Sequence, residues 1–248
     1  FNARDVRNGD ELWTTDGTDA GTQQVATGLS PWQLTPVGRV LFFTASAGGC
    51  GDELWVSDGT PSGTRLVKDL VSGCGGSYPW DLTAVGDLLF FLAWSDVSEI
   101  ERGLWVSDGT ADGTRPLPRR CAGAACLGQY IVATVGMRAL FGARTEDAQR
   151  LEYWSSDGSE GGTEPLEKLS TLSLEGWPPL RGIAAQDRVV LAAWDRTELF
   201  ASDGTDAGTQ RMDLGGVQLA MCDRTQHHGA SPTPNWPVYW PEKGLLLF

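Results

Sequence analysis

The stretch Glu53-Leu-Trp-Val-Ser-Asp-Gly-Thr-Pro-Ser-Gly-Thr64 recurs four more times, with small changes, along a chain of 248 residues. The other copies span Glu11–Thr22, Gly103–Thr114, Glu152–Thr163 and Glu198–Thr209. Each begins as a short strand and runs into a tight turn rich in Asp, Gly and Thr. Strand residues resume afterwards, as in Thr64-Arg-Leu-Val67. The carboxylates of Asp16, Asp58, Asp108, Asp157 and Asp203 are placed to accept backbone N–H groups one or two residues on, as Asx-turn residues do. The Gly after each Asp, and the Gly five residues beyond the Asp, read as suppliers of positive φ. The same Asp could serve a calcium ion, but calcium takes ~6–8 oxygen ligands. One carboxylate per copy favours a structural staple.

The five Asp are 42, 50, 49 and 46 residues apart. Periods of ~40–50 residues with only strand signals point to propeller blades. A second landmark runs in step. Ala45, Ala93, Ala143 and Ala193 each close an apolar run, and Gly38, Gly86 and Gly136 stand seven residues before the first three. Those Gly suit a hairpin turn; in the fourth copy Gln186 and Asp187 replace it. Each unit then reads as four strands, A to D: Trp32–Thr35, Val40–Ala45, Glu53–Ser57 and Thr64–Leu70 in the first full copy. Strand C is apolar on both faces, with Leu54 and Val56 on one and Trp55 on the other, which fits a sheet sandwiched between neighbours.

From Gly244, counting through Phe248 and on from Phe1 to Ala3, there are again seven steps. The C-terminal segment supplies strand A and the start of B, and the N-terminal segment the rest of B, then C and D. The fold expected is all-β: one domain, 1–248, a five-bladed β-propeller of four antiparallel strands per blade, closed by terminal strands sharing a blade. A piece cut from a longer array is the alternative.

The formal net charge is −13, against nucleic-acid or anionic-membrane partners, which call for clustered Lys and Arg. No apolar run approaches the ~18 residues of a membrane-spanning helix. A first residue other than Met points to a mature or excised chain. Of five Cys, Cys50 and Cys74 lie in loops flanking one motif copy, Cys121 and Cys126 share a Gly/Ala loop, and Cys222 is left over. Disulfides Cys50–Cys74 and Cys121–Cys126 would imply an oxidising compartment. The rival, a zinc site, lacks a Cys-x-x-Cys pair, so no metal is expected.

Antiparallel strands put the A–B and C–D turns at one end of each unit and the B–C and D–A connections at the other. The latter vary in length, and variable insertions on one face mark the binding face of a repeat protein. Trp32, Trp80, Tyr130, Trp177 and Trp236 are read as opening strand A there, and Trp94 and Trp194 as closing strand B. Aromatic faces stack on sugar C–H surfaces, and these seven residues are the candidate ligand contacts; packing between blades is the competing role. His227 and His228, near Cys222 and Asp223, read as a solvated loop. No nucleophile elbow, phosphate-binding Gly loop or metalloprotease helix occurs, so no catalytic residue or cofactor is assigned. Paired carboxylates for glycoside hydrolysis stay open.

The pattern Glu-Leu-Trp-x-x-Asp-Gly-Thr is intact at Glu11–Thr18 and Glu53–Thr60, has Gly103 for Glu in the third copy, and is altered at Glu152–Ser159 and Glu198–Thr205. In these residues the chain resembles the ELWxxDGT repeat family, also called hyalin-like repeats, over essentially its whole length. The resemblance implies a secreted or surface-attached bacterial protein with a propeller-like repeat body, and no defined activity. The turn is also similar to the Asp-box of sialidase propellers, which is structural there. The expected function is a non-enzymatic binding module for glycans or extracellular matrix protein. A scaffold within a surface assembly comes second, and a glycoside hydrolase or lyase third.

Overall fold

A computed structural model describes residues 1–5, 9–95, 102–117, 127–144, 151–170, 181–185, 187–192, 199–213, 238–240 and 245–247. The chain divides into two compact units, Phe1–Arg119 and Arg120–Phe248. Both are built of antiparallel sheets whose strands follow chain order.

In the first unit, β1 (Asn2–Asp5), β2 (Gly9–Thr14) and β3 (Gln23–Ala26) form a three-stranded sheet. A four-stranded sheet follows: β4 (Trp32–Val37), β5 (Val40–Ala45), β6 (Glu53–Ser57) and β7 (Arg65–Lys68). The next holds β8 (Trp80–Val85), β9 (Leu88–Trp94), β10 (Arg102–Ser107) and β11 (Arg115–Pro116). In the second unit, β12 (Leu127–Val135), β13 (Arg138–Arg144), β14 (Leu151–Ser156) and β15 (Thr163–Pro165) make one sheet. A single helical turn, α1 (Glu167–Ser170), leads on from it. Then come β16 (Arg181–Ala185), β17 (Arg188–Ala192), β18 (Leu199–Ser202) and β19 (Gln210–Arg211), and last the pair β20 (Val238–Trp240) and β21 (Leu245–Leu247).

The ladders show that the units are true repeats. Ala45 pairs with Glu53, Ala93 with Gly103 and Ala143 with Glu152; Ala3 pairs with Glu11 in the same way. The strand β1 is therefore the end of a strand B, and the three-stranded sheet holds strands B, C and D. The last two strands, β20 and β21, pair antiparallel, Val238 with Leu247 and Trp240 with Leu245.

Hairpins between A and B close with two residues, Val37 facing Val40, Val85 facing Leu88 and Val135 facing Arg138. Gly38, Gly86 and Gly136 sit first in each loop at φ of 55, 57 and 54°, as a type II′ turn requires.

Both faces of the central strands are covered. The face carrying Phe42, Leu54, Val56 and Val67 packs against Leu89, Phe91 and Trp105 of the next sheet. Phe43 and Ala45 on the opposite face pack against Leu12, Val25 and Leu29 of the sheet before. In the second unit Leu140, Tyr153 and Leu166 meet Val189, Leu191 and Phe200 in the same manner. The motif Trp stacks on its strand-B partner: Trp55 on Phe43 and Trp105 on Phe91, with centroids 6.5 and 6.4 Å apart.

Candidate functional site

At the C–D end, four of the five repeated turns form the same closed hydrogen-bond circuit. The N–H and hydroxyl of Thr60 both donate to Asp58 Oδ1, at 2.9 and 2.7 Å. Thr60 Oγ1 then accepts from Gly63 N at 3.0 Å. Thr64 donates its hydroxyl proton to the Thr60 carbonyl, so Ser57 must donate to Thr64 Oγ1, and Ser57 Oγ accepts from Gly59 N. The same circuit forms around Asp16, Asp108 and Asp203. These bonds favour the ionised carboxylate and hold all five Asp below the ordinary carboxylate range, the side-chain bond from the residue two positions on contributing most.

The two Gly of the turn do different work. The first, as in Gly17 and Gly59, sits at φ near 90° (91 and 90°) and needs its conformational freedom. The second does not have positive φ, contrary to the expectation from sequence. A Cβ on Gly63 would lie 2.0 Å from Asp58 Oδ1, and one on Gly113 2.1 Å from Asp108 Oδ1. The second Gly leaves room for the carboxylate. These turns also dock sheets onto each other: Arg65 donates to the Gly109 carbonyl, Lys68 to that of Thr114 and, in the second unit, Lys168 to that of Thr209.

The opposite end is built from contacts distant in sequence. The Cys50–Cys74 disulfide ties the B–C loop to the D–A connection of one sheet. Backbones cross so closely beside it that a Cβ on Gly51 would lie 2.4 Å from Gly76 Cα. Tyr78 N donates to the Asp52 carbonyl and Trp94 N to that of Ser77, at 3.0 and 2.8 Å. Glu53 is buried beneath, accepting from the amide and hydroxyl of Ser77 and from Leu70 N. Burial outweighs those bonds and pushes its carboxyl up to about 7. Its counterpart Glu11 accepts from Gly28 N. The motif Glu thus pins the chain 17 residues on, at Gly28 or Leu70. In the altered fourth copy Tyr153 N reaches Ser170 Oγ across the same span.

A further repeat lies where the chain enters strand A. Ser30-Pro-Trp-Gln33 and Tyr78-Pro-Trp-Asp81 share one backbone course, with positive φ at Ser30, Gln33, Tyr78 and Asp81. Positive φ is uncommon outside Gly and clusters where surrounding structure enforces it. Here the enforcement is visible. Thr44 and Gln33 side chains both donate to the Pro79 carbonyl, and Asn2 donates to that of Pro31. A bulge follows each Trp, between Trp32 and Thr35 and between Trp80 and Thr83.

The seven candidate aromatics divide. Trp32 and Trp94 are exposed, and Trp80 and Tyr130 half-buried. Tyr130 pairs with Gly142, the register position of Trp32 opposite Thr44, but it is the fourth residue of β12 and not its first. Trp177, Trp194 and Trp236 lie outside the described residues, as do Cys121, Cys126, Cys222, His227 and His228. Sequence reading missed Tyr78, which is more exposed than either Trp. The shared x-Pro-Trp-x pattern at 30–33 and 78–81 was its signal. Among the described residues no cluster of three or more His, Cys, Asp or Glu is placed to hold a metal ion.

No family model matches the chain, and no curated protein matches it. Among solved structures it is similar to a prolyl endopeptidase, at 13% identity and TM-score 0.49, over 86% of this chain and 32% of that one. It is also similar to TolB from Acinetobacter baumannii, at 14% identity and TM-score 0.45, over 85% and 49%. Trypanosoma rangeli sialidase matches at 10% identity and TM-score 0.41, over 85% and 42%. The chain spans less than half the length of each of these proteins. Such distant likenesses carry no information about ligand or reaction.

Proposed function

We propose that this chain is a secreted or surface-displayed, non-enzymatic binding module of bacterial origin that takes glycan or extracellular protein at the end bearing the B–C and D–A connections. The observation that carries the reading is the exposure of Trp32, Tyr78 and Trp94 at that end, on backbone held by hydrogen bonds and a disulfide. Aromatic side chains on fixed backbone give contact area at little entropic cost. The disulfide supports an oxidising compartment.

The body proposed is a single five-bladed propeller. The three-stranded sheet holds strands B to D and lacks a strand A, and the proposal is that the C-terminal strands supply it. The resemblance to ELWxxDGT repeats supports the same body and location.

An array of glycans and matrix proteins, read with the full chain, tests the function. Binding that falls in Trp94→Ala supports it. Silence across the array favours a scaffold in a surface assembly. Cleavage of any bound glycan, seen by mass spectrometry, overturns the non-enzymatic reading.

A further inference from the structure

Every copy of the repeated turn contains an Asp–Gly bond: Asp16–Gly17, Asp58–Gly59, Asp108–Gly109, Asp157–Gly158 and Asp203–Gly204. Gly has no side chain to keep its amide away from the preceding carboxyl, and in a free peptide the two react. The Gly nitrogen bonds to Asp Cγ, and the amide proton and the carboxyl OH leave as one water. Water then adds to either carbonyl of the five-membered imide. Opening at the main-chain carbonyl leaves the chain running through Asp Cβ and Cγ, an isoaspartate, with no net change in mass and no other reactant.

The turn opposes each part of that first step. In all five copies the Gly N–H donates to the hydroxyl of the residue before Asp, at 3.0 Å for Gly17, Gly59, Gly109 and Gly204 and 3.1 Å for Gly158. The carboxylate is held on the amide two positions on. It stays ionised, a form from which the oxygen leaves with difficulty. The copies differ in how far water reaches the Gly amide. Ser57, Ser107, Ser156 and Ser202 are buried, at 1% exposure or less, so the bonds they accept from Gly are shielded. Thr15 is exposed, as are Asp16, Gly17 and Thr18, and water competes for the Gly17 amide. A Cβ on Gly109 would lie 3.3 Å from the Phe42 ring, and Arg65 holds the Gly109 carbonyl, whereas a Cβ on Gly17 would meet nothing within 4 Å.

We infer that the hydroxyl preceding each Asp guards the Asp–Gly bond against isomerisation, and that Asp16–Gly17, where that hydroxyl is exposed, is the site at which isoaspartate forms in the folded chain. The product has one more methylene in its backbone and carries its free carboxylate on Asp16 Cα. It can no longer accept from Thr18 as the native side chain does, so this turn opens while the shielded copies persist.

The test is prolonged incubation of the full chain at neutral pH in heavy-oxygen water, followed by peptide mass mapping of each Asp–Gly bond for isoaspartate and for label. Asp16 is expected to convert faster than the other four Asp, and more slowly than in the isolated peptide Glu11–Thr22. Thr15→Ala should speed conversion at Asp16 by about fivefold, the effect of one lost hydrogen bond on the population of the opened turn. Thr15→Ser, which keeps the hydroxyl, should keep the native rate, and Asp108 should keep its own rate in both variants. A rate at Asp16 no higher than that at Asp108 overturns the site. A rate equal to that of the peptide, or one that Thr15→Ala leaves unchanged, overturns the guard. A rise at Asp16 that Asp108 shares equally is general loosening of the fold and counts against the hydroxyl.

Discussion

The two ends of the β4–β7 sheet are stabilised in opposite ways. Within a C–D turn the bonds of the Asp circuit close over two to seven residues, from Thr60 N on Asp58 to Ser57 on Thr64, and Arg65 and Lys68 only add contacts from the neighbouring sheet. At the other end the partners are 24, 35 and 46 residues apart: Cys50 with Cys74, Thr44 with Pro79, Gln33 with Pro79. Local bonds form with little loop-closure cost and survive the loss of distant structure, whereas the long-range set stands or falls together. The self-sufficient end is therefore suited to framework, and the interdependent end to presenting a surface.

The largest expected effect comes from cutting the interdependent end. Cys50→Ser with Cys74→Ser opens a loop with a sequence separation of 24, and the loss expected for a loop of that size is about 3 kcal/mol. Hydrogen exchange checks where the loss falls. Amides of Tyr78 and Trp94 should exchange faster, while Gly59 and Thr60 keep their protection. Equal deprotection at both ends would break the contrast.

Glu53 gives the two ends opposite responses to pH. Its carboxyl is raised from 4.5 to about 7 in the folded chain, so the folded state holds a proton that the unfolded state releases between those values. Stability from this group is full below pH 4.5 and declines as pH rises towards 7, by about 3 kcal/mol at most. The turn Asp have lowered values, so their contribution is full above the ordinary value of 3.8 and is lost as pH falls below it. Stability should peak between the two windows, near pH 4 to 5. Denaturant midpoints against pH check this, and Glu53→Gln should flatten the neutral limb while leaving the acid limb in place.

The same contrast decides what could be read from sequence. The turn end was legible because its information is local: Asp, Gly and Thr at fixed offsets within nine residues, repeated five times. The four-strand unit and the ladder position of Ala3 followed from that period. One detail went astray, the second Gly, because a steric demand made by a carboxylate leaves the same trace in sequence as a demand on φ. The candidate site was half legible. Trp32 and Trp94 stood out by residue type, but Tyr78 is exposed only because a backbone with positive φ, tied to Asp52 and Pro79's acceptor node, turns it outward. That conformation is set by residues 26 to 46 positions away, and its one local trace is the x-Pro-Trp-x pattern shared by 30–33 and 78–81.

Within the turn, Gly63→Ala sharpens the distinction between the two glycines. The new Cβ would force Asp58 off its donors, at about 2 kcal/mol, the scale of an overpacked site. In an Asp58→Ala background the same change should cost far less, because the obstacle is gone. Gly59→Ala should cost about 1 kcal/mol in either background, since its penalty lies in φ. A double-mutant cycle by urea denaturation separates the two.

The smallest effect tests whether the turn circuit is additive. In the fourth copy Ser159 replaces Thr, and Gly162 N bonds the Ser159 carbonyl at 3.3 Å instead of a side-chain oxygen at 2.9 or 3.0 Å as elsewhere. A β-branched side chain holds its rotamer more firmly than Ser does. Ser159→Thr should draw Gly162 N onto the new Oγ1 and stabilise the chain by about 0.5 kcal/mol, part of one hydrogen bond. Arg138 is the complicating neighbour, because its guanidinium donates to the Gly162 carbonyl at 2.9 Å and fills in for the weakened turn. Arg138→Met should therefore cost more in the native sequence than in Ser159→Thr, where the turn closes on its own bonds. Equal costs in both backgrounds would mean that the arginine serves the docking of β13 on β14 and the turn needs no help from it.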